Sequence, residues 1–139
     1  MERLSPGTTF FYLKTFSLSQ RYNTDKLNAH MNWIALQSEN QLEEIRDRSA
    51  ERPQVIFKHS TRCSTSALVK SRLERGAKPR DIDFYYLDLL SHRPISNKIA
   101  DSFQVPHESP QILIIRNGEC VYDESHLGIS MDDIVERAA

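Results

Sequence analysis

From Met31 onward, apolar and polar positions fall into blocks that predict a regular alternation of strands and helices. Residues 32–37 hold Trp33 and Ile34 in a short stretch of strand character. Ser38 and Gln41 then stand at capping-box spacing, with Leu42 and Ile45 on one face of a helix over 39–50 that Pro53 closes. Val55-Ile56-Phe57 is a continuous apolar run, the pattern of a strand buried on both faces. His59-Ser60-Thr61-Arg62-Cys63 opens the next helix, which runs to Gly76. Arg72 and Arg75 suit the negative end of its dipole, and Gly76 suits a left-handed stop. Residues 82–90, rich in aromatic and branched side chains, form another strand. Pro94 starts a helix over 95–103, and 105–110 is irregular. Two apolar runs, 111–115 and 119–123, flank Asn117-Gly118, a pair suited to the positive φ values of a tight hairpin turn. A closing helix over 131–138 takes Ser130 as its cap, with Asp132 and Asp133 in the first turn.

The resulting order, β-α-β-α-β-α-β-β-α, is α/β. A central βαβ unit demands a right-handed crossover and parallel strands, and the hairpin adds an antiparallel edge. This is the layout of a thioredoxin fold, a mixed central sheet flanked by helices. Residues 31–139 are expected to form that domain. Residues 1–30 are a separate matter: Phe10-Phe11-Tyr12-Leu13 is apolar but Lys14 breaks it at once, and 17–28 is polar without a period. The segment reads as an N-terminal extension, either disordered or upstream of an internal start at Met31. Its aromatics packing as an added strand or partner-binding arm is the other reading.

Composition narrows the function classes. In 139 residues, 39% are apolar and 27% charged, ordinary for one globular domain. A formal charge of -1 offers no field for capturing nucleic acid or an anionic membrane surface. No apolar run approaches the ~20 residues that span a bilayer. Two cysteines do not make a disulfide framework, which leaves redox chemistry, catalysis or simple packing.

Cys63 is the candidate nucleophile. It follows a buried strand and falls at the start of a helix, where unpaired amides and the dipole favour a thiolate. Arg62 adds a permanent cation next door, with His59 close by. Cys63-Ser64-Thr65-Ser66 is a C-x-x-S motif: Ser66 lacks the thiol that would resolve a mixed disulfide. It lies one turn on, where its hydroxyl is expected to donate to the sulfur. Cys120 should pair opposite Ile115 across the hairpin, on the order of 16 Å from its start at Pro110. A disulfide needs Cα atoms within ~7 Å, so Cys120 reads as structural and the mechanism as monothiol. Ser109-Pro110, given the fold, is expected to be cis and to turn the backbone of Ser109 toward the thiol as a platform for an extended substrate. The histidines are too scattered for a metal site, so no metal is expected.

Taken together these residues resemble the YtxJ-like family, the monothiol bacilliredoxins. The similarity runs from about Met31 to Glu136. It is carried by Met31-Asn32-Trp33, Phe57-Lys58-His59-Ser60-Thr61-Arg62-Cys63, Ser66, Arg93-Pro94-Ile95-Ser96-Asn97, His107-Glu108-Ser109-Pro110-Gln111 and Ser125-His126. The resemblance implies a thioredoxin fold and a cytoplasmic bacterial protein that removes bacillithiol from mixed disulfides on client proteins. Cys63 would be the attacking and carrying thiol, and bacillithiol the co-substrate, with no bound cofactor. Catalytic roles then fall to Cys63, Ser66 and Arg62, and substrate binding to Thr61, Ser109 and Pro110. The family typically has proline and isoleucine after the cysteine, where this chain has Ser64 and Thr65. Two alternatives share the same groove: a non-catalytic peptide-binding module, and a stress sensor whose Cys63 is modified as a signal. Oligomeric state is not readable from the chain.

Overall fold

The computed structural model describes residues 31–76 and 79–139. The proposed extension, 1–30, lies outside the described residues. β1 (Ile34–Ala35) is followed by α1 (Asn40–Arg48), β2 (Gln54–His59), α2 (Ser64–Arg75) and β3 (Asp83–Asp88). Then come α3 (Arg93–Phe103), β4 (Gln111–Arg116), β5 (Glu119–Ser125), a 3-10 turn (His126–Gly128) and α4 (Met131–Ala138). The five strands form one sheet in the order β1-β3-β2-β4-β5. β3 runs parallel to both β1 and β2, while β4 is antiparallel to β2 and β5 to β4. This is the mixed sheet that the alternating pattern predicts.

β2 is the central strand, and all six of its residues are buried. Because successive side chains point to opposite faces, Ile56 joins one core and its neighbours Val55 and Phe57 join the other. The first core packs Leu42 and Ile45 of α1 and Ile95, Ile99 and Phe103 of α3 on Ile56, Leu87, Leu113 and Ile115. The second packs Val69 and Leu73 of α2 and Ile134 and Ala138 of α4 on Phe57, Phe84, Ile112 and Ile114. Trp33 seals this second face, stacking on Phe57 with 5.5 Å between ring centroids and donating to Glu74 (2.8 Å).

Two local expectations need correction. Ser38 and Gln41 make only half of a capping box. The Gln41 side chain accepts from the Ser38 amide (3.1 Å), but α1 starts at Asn40 and its cap, Glu39, makes no side-chain capping bond. Gln41 is drawn instead toward β1, where its Nε2 donates to the Ala35 carbonyl (2.8 Å). Gly76 does end α2, but in extended backbone (φ -79°, ψ -176°) and not in the left-handed region. A Cβ there would lie 2.9 Å from Met131 Cβ, so glycine is required by the close passage of α4. The residue that does turn left-handed at a helix end is Gln104, at the close of α3 (φ 56°). The Asn117-Gly118 turn has positive φ at both residues (52° and 80°), and Ser130 caps α4 by accepting from the Asp133 amide (3.2 Å).

Candidate functional site

The end of β2 and the start of β4 meet at one edge of the sheet, because Lys58 pairs with Gln111 in the antiparallel register. The loop from Ser60 to Arg62 and the Pro110 segment are therefore both at that edge. The Ser109–Pro110 peptide is cis. Pro110 is buried, and its carbonyl accepts from the His126 amide (3.0 Å).

Cys63 is not inside α2 but is its N-cap, in extended conformation (φ -104°, ψ 119°). Its carbonyl accepts from Ala67 (3.0 Å), and its Sγ accepts from the backbone amide of Ser66 (3.4 Å). In most helices a serine, threonine, asparagine or aspartate oxygen takes this position; here a sulfur does. The thiol is half-buried and unpaired to any other cysteine, as is that of Cys120.

The Ser66 hydroxyl does not point at the sulfur, contrary to its expected role. The side chain is fully buried, and its Oγ lies 2.6 Å from His59 Nδ1 while accepting from the Ser60 amide (3.1 Å). The reason lies in the strand period. His59 shares the face of Val55 and Phe57, which α2 covers, and so stands beneath the first turn of that helix. Oγ accepts from the Ser60 amide, and with the ring proton on Nε2 the remaining hydroxyl hydrogen is donated to His59 Nδ1. We assign the ring as neutral with its proton on Nε2, the tautomer that gives the buried hydroxyl hydrogen an acceptor. Burial and the nearby Lys70 ammonium push the His59 pKa below the usual 6.5, against weaker opposing contributions from Asp88, Glu74 and the Ser66 backbone. His59 thus supplies a hydrogen-bond acceptor and not a second cation beside the thiol.

Thr61 and Arg62 are exposed in the loop. The Arg62 amide donates to Ser60 Oγ (3.4 Å); among the described residues its guanidinium makes no hydrogen bond to the sulfur. Ser109 Oγ is buried without a hydrogen-bond partner among the described residues. On the opposite face of β2, Lys58 is completely buried, with Nζ 3.4 Å from His107 Nδ1. His107 also approaches Ser96 Oγ (3.4 Å) at the start of α3. Sequence reasoning gave Lys58 and His59 no place in the hydrogen-bonding of the site. Counting the period of two along β2 would have assigned them to opposite faces.

Cys120 pairs with Ile115 next to a register shift in the β4–β5 ladder, and its thiol donates to the Tyr122 carbonyl (3.3 Å). Burial pushes its pKa above the ordinary thiol value. No group of three or more histidine, cysteine or acidic side chains among the described residues is placed to hold a metal ion. No helix among them is long and apolar enough to cross a membrane.

The profile of the family described as monothiol bacilliredoxin BrxC matches residues 34–134, which takes in the whole sheet, the Cys63 cap and the cis Ser109–Pro110 bond. The chain belongs to the monothiol bacilliredoxin family. Among solved structures, it is similar to a thioredoxin-fold protein assigned as an oxidoreductase, with a TM-score of 0.69 and 29% identity over 83% of this chain and 98% of that one. Thioredoxins from Malassezia sympodialis (TM-score 0.61, 15% identity, 80% and 95% of the two chains) and Fasciola hepatica (0.61, 18%, 76% and 98%) share the fold. A bacilliredoxin with thioredoxin architecture is a thiol–disulfide exchange protein.

Proposed function

We propose that this protein removes bacillithiol from mixed disulfides on client proteins, with Cys63 as the single nucleophile. The observation that carries the reading is the Cys63 cap. Its sulfur caps α2 and receives the Ser66 amide, and the strand that leads to it pairs with the strand that the cis Ser109–Pro110 bond precedes. Attack by the Cys63 thiolate on the bacillithiol sulfur forms a Cys63–bacillithiol disulfide and breaks the client–bacillithiol bond, and the client leaves as a thiolate. A second bacillithiol thiolate then attacks the carried sulfur. It releases bacillithiol disulfide and restores Cys63, so the two electrons come from the free thiol.

The monothiol route follows from the residue at the third position after Cys63. Ser66 carries no thiol, and its hydroxyl is committed to His59. Cys120 lies in the hairpin, paired with Ile115 near the turn, at the far end of β4 from Pro110. In this reading Thr61, Arg62, Pro110 and the backbone of Ser109 meet the client and the small thiol. Ser64 and Thr65 stand where the family typically has proline and isoleucine, so preference among small thiols is the property expected to differ most.

The test is to expose wild type and Cys63→Ser to bacillithiol disulfide and, in parallel, to glutathione disulfide, and to record intact mass. One bacillithiol adduct on wild type and none on the variant is the expected result, with Cys120 unmodified at neutral pH because its thiol is pushed upward. No adduct on Cys63, or equal adducts on both cysteines, would sink the exchange reading and favour a binding module that holds partners without turnover.

A further inference from the structure

Cys63 is held by a short chain of hydrogen bonds that ends on a buried ring. The Ser66 amide reaches Cys63 Sγ (3.4 Å), the Ser66 hydroxyl reaches His59 Nδ1 (2.6 Å), and the Ser60 amide reaches Ser66 Oγ (3.1 Å). One residue, Ser66, therefore presents its backbone to the sulfur and its side chain to the histidine. His59 is itself fixed: its ring is tilted against Phe57 (5.7 Å between centroids) and Tyr86 (5.5 Å), and its carbonyl accepts from the Leu89 amide (3.0 Å). A buried hydroxyl needs an acceptor for its hydrogen, and with the ring proton on Nε2, Nδ1 serves as that acceptor.

We propose that His59 is the positioning residue of this site, acting on Cys63 through Ser66 to hold the first turn of α2 in register with the sulfur. The proposal deepens the exchange reading and rests on it for its functional meaning. Losing the acceptor leaves the Ser66 hydrogen unsatisfied in a closed environment, and the first turn of α2 rotates to find water. Adding a proton to Nδ1 has the same effect by another route. The ring becomes a donor, Ser66 Oγ accepts from both His59 and Ser60, and the hydroxyl hydrogen is again without a partner. The charged and titratable groups around the ring are Lys70 and Glu74 from α2 and Asp88 and Tyr86 from β3. Lys70 and Glu74 are paired with each other (2.8 Å). The ring is neutral near pH 7, because burial and Lys70 outweigh the acids.

Alkylation of Cys63 by iodoacetamide, followed by intact mass between pH 5 and 9, reads the geometry of the sulfur without requiring recognition of any small thiol. Wild type should show an added fall in rate toward the acid end of this range, where the ring, its pKa lowered by burial and Lys70, gains its proton. His59→Gln keeps an acceptor but does not titrate, so it should hold the rate at pH 8 within about twofold and lose the added fall. His59→Phe keeps the ring packing and removes the acceptor. It should slow alkylation at pH 8 by about three- to tenfold, as should Ser66→Ala, the scale of one hydrogen bond. The double variant should be no slower than either single one, because both break the same link. Circular dichroism checks that each variant is folded; if His59→Phe is not, the His59→Gln profile decides alone. Persistence of the acid fall in His59→Gln, or wild-type rate in a folded His59→Phe, overturns the proposal. An absent bacillithiol adduct with these profiles intact would remove the exchange reading and leave the positioning role standing.

Discussion

Lys58 and His59 are neighbours in the chain that face opposite sides of one sheet, and burial acts on both in the same direction. Lys58 has no exposed surface, and among the described residues its ammonium finds only His107 Nδ1 as a hydrogen-bond partner. Burial pushes its pKa from 10.5 down to about 8. A lysine depressed in this way costs stability while it is charged in the fold. Between pH 8 and 10.5 the unfolded chain binds a proton that the native chain has released, so stability should rise with pH across that window. The full rise is of order 3 kcal/mol, from about 1.4 kcal/mol per unit. Urea unfolding at pH 7.5, 9 and 10 should show it in wild type, and Lys58→Met should flatten it while being more stable than wild type at pH 7.5. Equal slopes in the two proteins would mean that the ammonium reaches water.

Helix and turn signals differ in how far along the chain their causes lie. Ser130 and Asn117-Gly118 behave as short-range chemistry predicts, because a capping oxygen and a positive φ need nothing beyond two or three neighbours. Gly76 is equally conspicuous in the sequence, but what demands glycine there is Met131, far along the chain. Two alanine substitutions separate these cases. Gly76→Ala should cost about 1–3 kcal/mol, the scale of overpacking, because its Cβ would press on the Met131 Cβ at 2.9 Å. Gly118→Ala meets nothing within 4 Å, so its cost should come from its φ of +80° alone and be roughly 1 kcal/mol. Thermal unfolding of both variants checks the difference. An unchanged midpoint for Gly76→Ala would show that α4 can move aside.

At the scale of the molecule, one sheet carries two cores that share β2, β3 and β4 but no helices. Ile99 of α3 lies in the first core and Ile134 of α4 in the second, and both are buried. Truncating either to valine removes one methylene, typically worth about 0.5–1.5 kcal/mol. With the sheet between them and no shared packing partners, the two losses should add to within about 0.5 kcal/mol, and a single cooperative transition should persist. Denaturant curves of the two single variants and the double variant provide the measurement. A coupling well above that figure would show that the sheet transmits strain from one layer to the other.

The sequence by itself determined the order of elements, the central buried strand, the hairpin and the candidate cysteine at a strand–helix junction. These are set by hydrophobic period and by residues whose backbone preferences act over a turn or less. The residues around Cys63 and Pro110 also carry the resemblance to the family. Tertiary structure decided how the side chains at the site are spent. Whether the Ser66 hydroxyl serves Cys63 or His59 depends on which face of β2 passes under α2. The value of Gly76 depends on where α4 returns, and the cost of Lys58 depends on what covers the far side of the sheet. Each is a contact between segments distant in the chain, and only the fold brings those segments within reach.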